Sequence, residues 1–247
     1  MNTPSAKDLA FVADQARATV RQGEAIGLGY VAASHDIGDV HPMLGPDGRP
    51  LAETTFRWID PKLKYWTERA FALRAQFIHA VRCCAEPFWF AEGRFGSWRP
   101  MSALEALDGA SISGEYGVAG AIIAPTYLTG GVIGAVVWAT PDPAVPVRAI
   151  FEREAPRLHA QAMRLLGAYN DAVGEAQPAV RLTRREIQCL KWAAAGKTDS
   201  EVGQIMHIAV PTVRFHIRNA ATKLKATGRA QATHRAALLG YVGGLNT

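Results

Sequence analysis

Apolar positions recur at helical spacing over residues 5–22 and again from about Val145 to Tyr169. This predicts a long amphipathic helix at each end of the first two thirds of the chain. Between them, Ala25 to Ala33 reads as a short strand with glycines. Glu86 to Phe90, Tyr116 to Ala124 and Val132 to Ala139 also read as strands, the last two joined through a Gly130-Gly131 turn. Pro61 to Cys84 returns to helical spacing, whereas His35 to Pro50, with Gly38, Gly45-Pro46 and Asp47-Gly48, suits an exposed loop. The order helix, strand, helix, strands, helix predicts a sheet covered by helices on both faces. Periodicity is lost from Asp171 to Val180, where Gly174 and Pro178 mark a linker.

Beyond the linker the pattern is helical. Thr183 with Glu186, and Thr198 with Glu201, stand three residues apart at the start of apolar stripes. At that spacing each side chain satisfies a free backbone N–H of the other. Ile187, Leu190 and Ala194 form the first stripe, ended by Gly196; Val202, Ile205 and Met206 form the second. After the break Ile208-Ala209-Val210, Pro211 suits the first turn of a third helix. There Val213, Ile217, Ala220, Ala221 and Leu224 face inward, and Arg214, Arg218 and Lys225 lie on a different face. A fourth helix is expected from about Arg229 to Val242.

Composition narrows the function classes. At 247 residues, 49% hydrophobic and 20% charged, the chain can bury a sizeable core. Its N-terminus has no uninterrupted apolar run of the signal-peptide kind. The most apolar stretch, Gly117 to Ala139, is broken by Pro125, Thr126, Gly130 and Gly131, so two buried strands explain it better than a membrane span. Three cysteines, Cys83, Cys84 and Cys189, without metal-ligand spacing imply a reducing compartment, hence a cytoplasmic protein. No Gly-x-Ser-x-Gly, P-loop or metal motif is present. His35, Asp36, Asp39 and His41 fit no zinc pattern, so neither an enzyme nor a metal or other cofactor is expected.

Charge is unevenly divided. From Arg181 onward eleven Lys and Arg stand against Glu186, Asp199 and Glu201, a net +8, while the preceding 180 residues are net −3. A small basic unit on a mildly acidic body points to a polyanionic partner for that unit alone. Two short helices, a tight turn and a third helix with a basic outer face form the arrangement that places a recognition helix in the major groove of double-stranded DNA. Arginine suits that helix because its planar fork bonds guanine O6 and N7 together. Lys197, Thr198, Thr212 and Lys223 sit near helix ends or flanks, where phosphates are contacted.

Leu182 to Val242 resembles the helix-turn-helix of the LuxR family. The resemblance rests on Leu182-Thr183-x-Arg185-Glu186, Leu190, Ala195-Gly196-Lys197-Thr198, Glu201-Val202, Thr212-Val213-x-Phe215-His216 and Lys223-Leu224. It implies Arg214 and Arg218 as base readers, His216 within the DNA-binding set, and the fourth helix as a dimer contact. Where the family usually has a serine before the recognition helix, this chain has Ala209. A missing cap costs on the order of 1 kcal/mol.

Upstream, Tyr116 to Ile123 followed by Gly131-Val132-Ile133-Gly134 resembles the paired strands of that family's acyl-homoserine-lactone-binding domain. Glu86-Pro87-Phe88-Trp89 is similar to its Pro-Phe-x-Trp strand. The resemblance implies an apolar sleeve drawn from Trp58, Tyr65, Trp66, Phe88, Trp89, Trp98, Tyr116 and Gly120. The family pattern Trp-x3-Tyr-x8-Asp-Pro is not retained. Counted from Trp66, the Tyr place holds Ala70 and the Asp-Pro place His79-Ala80. Counted back from Trp89, Tyr65 is kept but Pro61 takes the Trp place and Arg74 the Asp place. The hydroxyl residue late in the last strand is replaced near Val137. Without the carboxylate a buried lactone amide loses its partner, a penalty of about 1–3 kcal/mol.

The expectation is therefore an α+β chain: an α-β-α sandwich sensor over residues 1–170, a linker over 171–180, and an all-α four-helix helix-turn-helix domain over 181–247. It would act as a homodimeric transcription regulator responding to a small molecule, an acyl-homoserine lactone or an altered ligand. The alternative is an orphan regulator that needs no ligand, or a partner that sequesters another regulator. Arg214 and Arg218 substitutions are expected to relax base preference, and loss of Lys223 to weaken binding to all sequences.

Overall fold

The computed structural model describes residues 6–39, 41–62, 76–107, 109, 116–174 and 180–243. The chain divides into two compact units, residues 1–128 with 132–175, and residues 176–247 with 129–131.

Among the described residues the first unit is built on a five-stranded antiparallel sheet in the order β1-β5-β4-β2-β3. Its strands are β1 (Tyr30–Ser34), β2 (Phe88–Ala91), β3 (Arg94–Gly96), β4 (Gly120–Tyr127) and β5 (Ile133–Thr140). Two long helices, α1 (Ala6–Ala25) and the last helix of the unit (Val147–Val173), pack on each other and on one face of the sheet. Among the described residues the other face carries α3 (Gln76–Cys83) and α4 (Ser102–Glu105), whereas α2 (Leu51–Thr54) adds Leu51 to the cluster under the two long helices, of which Val147–Val173 is α5. The edge strand β3, three residues long, is absent from the sequence reading, because no alternation is legible over so few positions. Helix α5 runs through Val173 and ends at Gly174, several residues into the expected linker.

Strict alternation along the strands assigns each side chain to one layer. Val31, Ile122, Ala124, Val136 and Trp138 pack toward α1 and α5, with Phe151, Leu158, Leu165 and Leu166 of α5 in the same cluster. Ala32, Phe88, Phe90, Ala121, Ile123, Ala135 and Val137 face the opposite way. Gly120 lies under the start of α5, where a Cβ would come within 2.4 Å of Val147 Cγ2. Only glycine permits that approach.

Polar groups trapped between α1 and α5 are paired. Gln161 Nε2 donates to Gln15 O at 3.1 Å and to Thr19 Oγ1 at 3.2 Å, and the Thr19 hydroxyl donates to Gln15 O. The fully buried Trp138 donates its indole N–H to Thr19 O at 3.0 Å. These bonds set the register of the two helices and their rotation over the sheet. The loop from His35 to Pro50 is tied to α5: Tyr169 Oη accepts from Leu44 N at 3.0 Å, and the His35 ring meets the Tyr169 ring edge-on at 4.9 Å.

Among its described residues the second unit has four α-helices: α6 (Arg184–Ala194), α7 (Asp199–Met206), α8 (Val210–Lys223) and α9 (Arg229–Leu238). Leu190, Ala220, Leu224, Ala232 and Ala236 form its larger core, and Cys189, Val202, Val213 and Ile217 a second one. Helix α9 ends four residues short of the expected Val242, and Gly240 follows with φ 74°.

Trp138→Ala should cost the N-terminal unit about 3–5 kcal/mol, because it removes the largest buried side chain and leaves Thr19 O without its indole partner. Trp98→Ala, at a residue 43% exposed, should cost markedly less. Urea unfolding of both variants checks the contrast.

Candidate functional site

On the sheet face away from α1 and α5, two neighbouring cavities of about 30 and 50 Å³ share Trp58, Phe77 and Val137. The first is completed by Phe90, Phe95, Tyr116, Val118, Ala121 and Ile123, the second by Ala32, Ala33, Ser34, Ile37, Ile78 and Ala135. The Ser34 hydroxyl donates to Asp36 O at 2.9 Å, so the described lining offers a largely hydrocarbon surface. Cavities of this size hold at most a few waters, far less than the roughly 300–1,000 Å³ of a small-molecule site. A ligand larger than these cavities displaces some of the lining side chains, which couples occupancy to packing.

Of the residues expected around one ligand, Trp58 lines both cavities, and Phe88 lies buried on the same face. Trp89 does not. In β2 it alternates with Phe88 and Phe90, so it points to the α5 side, where the Arg148 guanidinium sits 4.4 Å from its ring and Gly96 makes room for it. Trp98 packs on Phe151 of α5, ring centroids 5.0 Å apart, and Gly120 faces Val147. These three are therefore placed in the other layer. Tyr65 and Trp66 lie outside the described residues, as do Ala70 and Arg74. His79, in the Asp place of the first alignment, is exposed on α3. Phe77, Phe90 and Phe95 line the pocket but were not singled out; the spacing of Phe88 and Phe90 around Trp89 was the available signal.

The loop acids and histidines form turns. Asp36 Oδ1 accepts from Gly38 N at 2.7 Å, His41 Nδ1 lies 2.6 Å from Asp39 Oδ1, and burial pushes the His35 imidazole below its ordinary pKa.

In the second unit both predicted capping boxes form. Glu186 N donates to Thr183 Oγ1 at 3.3 Å and Thr183 N to Glu186 Oε2 at 2.7 Å; Thr198 and Glu201 repeat the pattern at 3.3 and 2.8 Å. They fix where α6 and α7 begin, and His207, left-handed at φ 52°, closes α7. Helix α8 then starts from Ala209 with no side-chain cap, and Pro211 lies in its first turn. At its far end Arg235 donates to Leu224 O at 2.8 Å and Lys225 O at 2.6 Å, satisfying carbonyls the helix leaves open.

Several of the unit's basic side chains are engaged within the fold. Lys223, expected at phosphate, places its ammonium 2.9 and 2.8 Å from the two oxygens of buried Glu186. Burial pushes the Glu186 carboxyl up, but Lys223 and the Thr183 donors outweigh it and hold the pKa below its ordinary value. Lys197 pairs with Glu201 at 3.5 Å, and the Thr198 hydroxyl donates to Glu201 Oε2. Arg214 Nε donates to Asp199 Oδ2 at 3.2 Å. The outward face of α8 carries exposed Thr212, Arg218 and Phe215, the last 49% exposed, with half-buried His216 edge-on to the Phe215 ring at 5.6 Å. Phe215 was read only as part of a motif, yet it stands near the middle of that face. Among the described residues, no helix is long and apolar enough to cross a membrane.

Comparisons with known proteins agree with this geometry. Residues 180–236, most of the C-terminal unit, match the family described as bacterial regulatory proteins, luxR family. Over 68 residues the chain is 48% identical to the transcriptional activator protein VanR of Vibrio anguillarum, covering 28% of each chain. Over 121 residues it is 34% identical to the transcriptional activator protein PhzR of Pseudomonas fluorescens, covering 48% of this chain and 49% of that one. The chain thus spans about half the length, or less, of these curated relatives. The crystal structure of Escherichia coli SdiA shares the fold, with TM-score 0.52 and 16% identity over 94% of this chain and 92% of that one. A structure of SdiA in complex with octanoyl-rac-glycerol gives TM-score 0.51 and 18% identity over 94% and 91%.

A carboxylate with a depressed folded-state pKa contributes stability that is fully present above its unfolded value and is lost as pH falls through the folded one. The Glu186 contribution should therefore shrink as pH drops below the ordinary glutamate range and vanish below the lower folded-state value. Glu186→Gln should cost about 2–4 kcal/mol near neutrality and flatten the acid limb of the curve. Unfolding of the full chain followed from pH 7 to pH 3 tests both.

Proposed function

We propose that this chain is a homodimeric transcription regulator: the C-terminal unit reads double-stranded DNA through the outward face of α8, and the N-terminal unit holds a small apolar molecule against its sheet. The observation that carries the DNA reading is that face itself. Thr212, Phe215 and Arg218 stand outward on a helix that two capping boxes and a left-handed turn hold in position, within a unit of net +8. Arg218 reads a base edge, Thr212 and Lys197 lie at phosphates, and Lys223 acts chiefly through Glu186. Two copies bring two such helices one DNA turn apart.

For the N-terminal unit, the apolar lining around Trp58, Phe77 and Val137 supports an acyl chain or a similar hydrocarbon group as occupant, in line with the acyl glycerol bound by the SdiA relative. Val137, where the resemblance implies a hydroxyl, offers the head group no hydrogen bond, so an altered ligand suits the site better than a standard lactone. The small free volume of the cavities favours a second reading, in which the unit holds its fold with no occupant. Mass spectrometry of molecules extracted from purified protein decides between the two.

Arg218→Ala should lower discrimination among duplexes at one position per half-site by about 1–3 kcal/mol. Lys223→Ala should lower the stability of the domain more than it lowers the salt dependence of DNA binding. Gel-shift titration against selected and random duplexes, with thermal melts in parallel, separates these outcomes. Val137→Trp should abolish uptake of octanoyl glycerol in calorimetry while DNA binding persists. Unchanged uptake would place the ligand elsewhere.

A further inference from the structure

Asp199, the first residue of α7, is the meeting point of two arginines from different helices. Its Oδ2 accepts from Arg214 Nε of α8 at 3.2 Å, and its Oδ1 accepts from Arg229 Nη1 of α9 at 2.7 Å. Arg229 also donates through its other terminal nitrogen to Lys197 O, just ahead of α7. The Asp199 side chain is 23% exposed, whereas that of Arg214 is 71% exposed. The carboxylate is thus anchored on one side and presents its second oxygen to a side chain that otherwise projects into solvent.

We infer that Asp199 is a positioning residue for sequence readout, holding the Arg214 guanidinium in the orientation that reads a guanine. This rests on the DNA-binding reading above. A bond to an arginine as exposed as Arg214 adds little stability, so the Asp199–Arg214 contact needs another account. Held through Nε, the guanidinium plane is set, and Nη1 and Nη2 form the end-on fork that matches O6 and N7 of guanine in the major groove. An arginine ordered before binding also loses less freedom when it docks. The arrangement opposes simple affinity, because an acid beside the groove repels phosphate. A carboxylate on the binding side of a basic domain is costly for unspecific binding and useful for selectivity.

The second anchor supports the same role. Arg229 lies 30 residues from Asp199, and its bond fixes the start of α7 relative to α9. A displacement of Asp199 is thereby resisted from the side away from Arg214, and the position of the fork follows that of two helices rather than of one surface side chain.

The test uses the full chain and a duplex that the wild-type protein selects from a random-sequence pool. Each guanine is replaced in turn by 7-deazaguanine, which removes the N7 acceptor and leaves base pairing intact. Wild-type binding should weaken about tenfold at one guanine in each half-site, and Arg214→Ala should be insensitive there. Asp199→Ala should reduce that penalty to less than about threefold, while its affinity for a random duplex stays the same or rises. Asp199→Asn, which keeps the shape and one acceptor, should fall between, and it carries the test if Asp199→Ala unfolds. A full 7-deazaguanine penalty in both Asp199 variants overturns the inference. So does a parallel loss of selected and random binding with a lowered melting temperature, since that is purely structural behaviour. If the wild-type chain enriches no sequence at all, the DNA reading itself fails and this role falls with it.

Discussion

The two central strands of the sheet are buried on both faces, and the organisation of the N-terminal unit follows from that constraint. In β4 and β5 successive side chains go alternately to the α1/α5 layer and to the pocket layer, so Ile122 and Trp138 build the helical core while Ile123 and Val137 line the cavities. A slip of one residue would exchange the two sets and put Trp138 into the pocket. The bonds among Gln15, Thr19, Gln161 and Trp138 act against such a slip, because they close only when the indole faces α1. The pocket and the helical core are therefore two sides of one packing solution. An occupant that moves Phe77 or Trp58 acts on the same strands that α5 packs against.

The C-terminal unit is organised by a different economy. Its basic residues are numerous, but several are engaged within the fold: Lys223 by Glu186, Arg229 by Asp199 and Lys197 O, Arg235 by the end of α8. Net charge steers the domain toward a polyanion. The internal pairs position α8 and leave a smaller outward set that includes Arg218, the set proposed to meet the groove. Of the eleven Lys and Arg behind the net +8, only part therefore remains free to face a partner.

Much of the secondary structure was legible in the sequence, because helix caps and strand alternation are local signals. Thr183, Glu186, Thr198 and Glu201 marked the starts of α6 and α7, and Ala209 marked the uncapped start of α8. The pocket was legible in kind but only partly in membership. Spacing measured from Trp89 drew attention to a residue whose side chain lies in the other layer, and a face is decided by how a strand pairs across the sheet. The engagement of Lys223 and the double use of Asp199 were not legible at all, since they join residues 37, 15 and 30 positions apart. No local period encodes such pairs.

Two sites on separate units make a regulator only if occupancy of one changes the affinity of the other. By linkage, a ligand that changes operator affinity by some factor must itself be bound more or less tightly by the same factor when DNA is present. The direct measurement is operator affinity of the full chain, by fluorescence anisotropy at fixed salt, as octanoyl glycerol is titrated to saturation. Regulation through the pocket requires a shift of at least about fivefold in either direction, with the reciprocal shift in ligand affinity. Saturation of the pocket with operator affinity unchanged would contradict it.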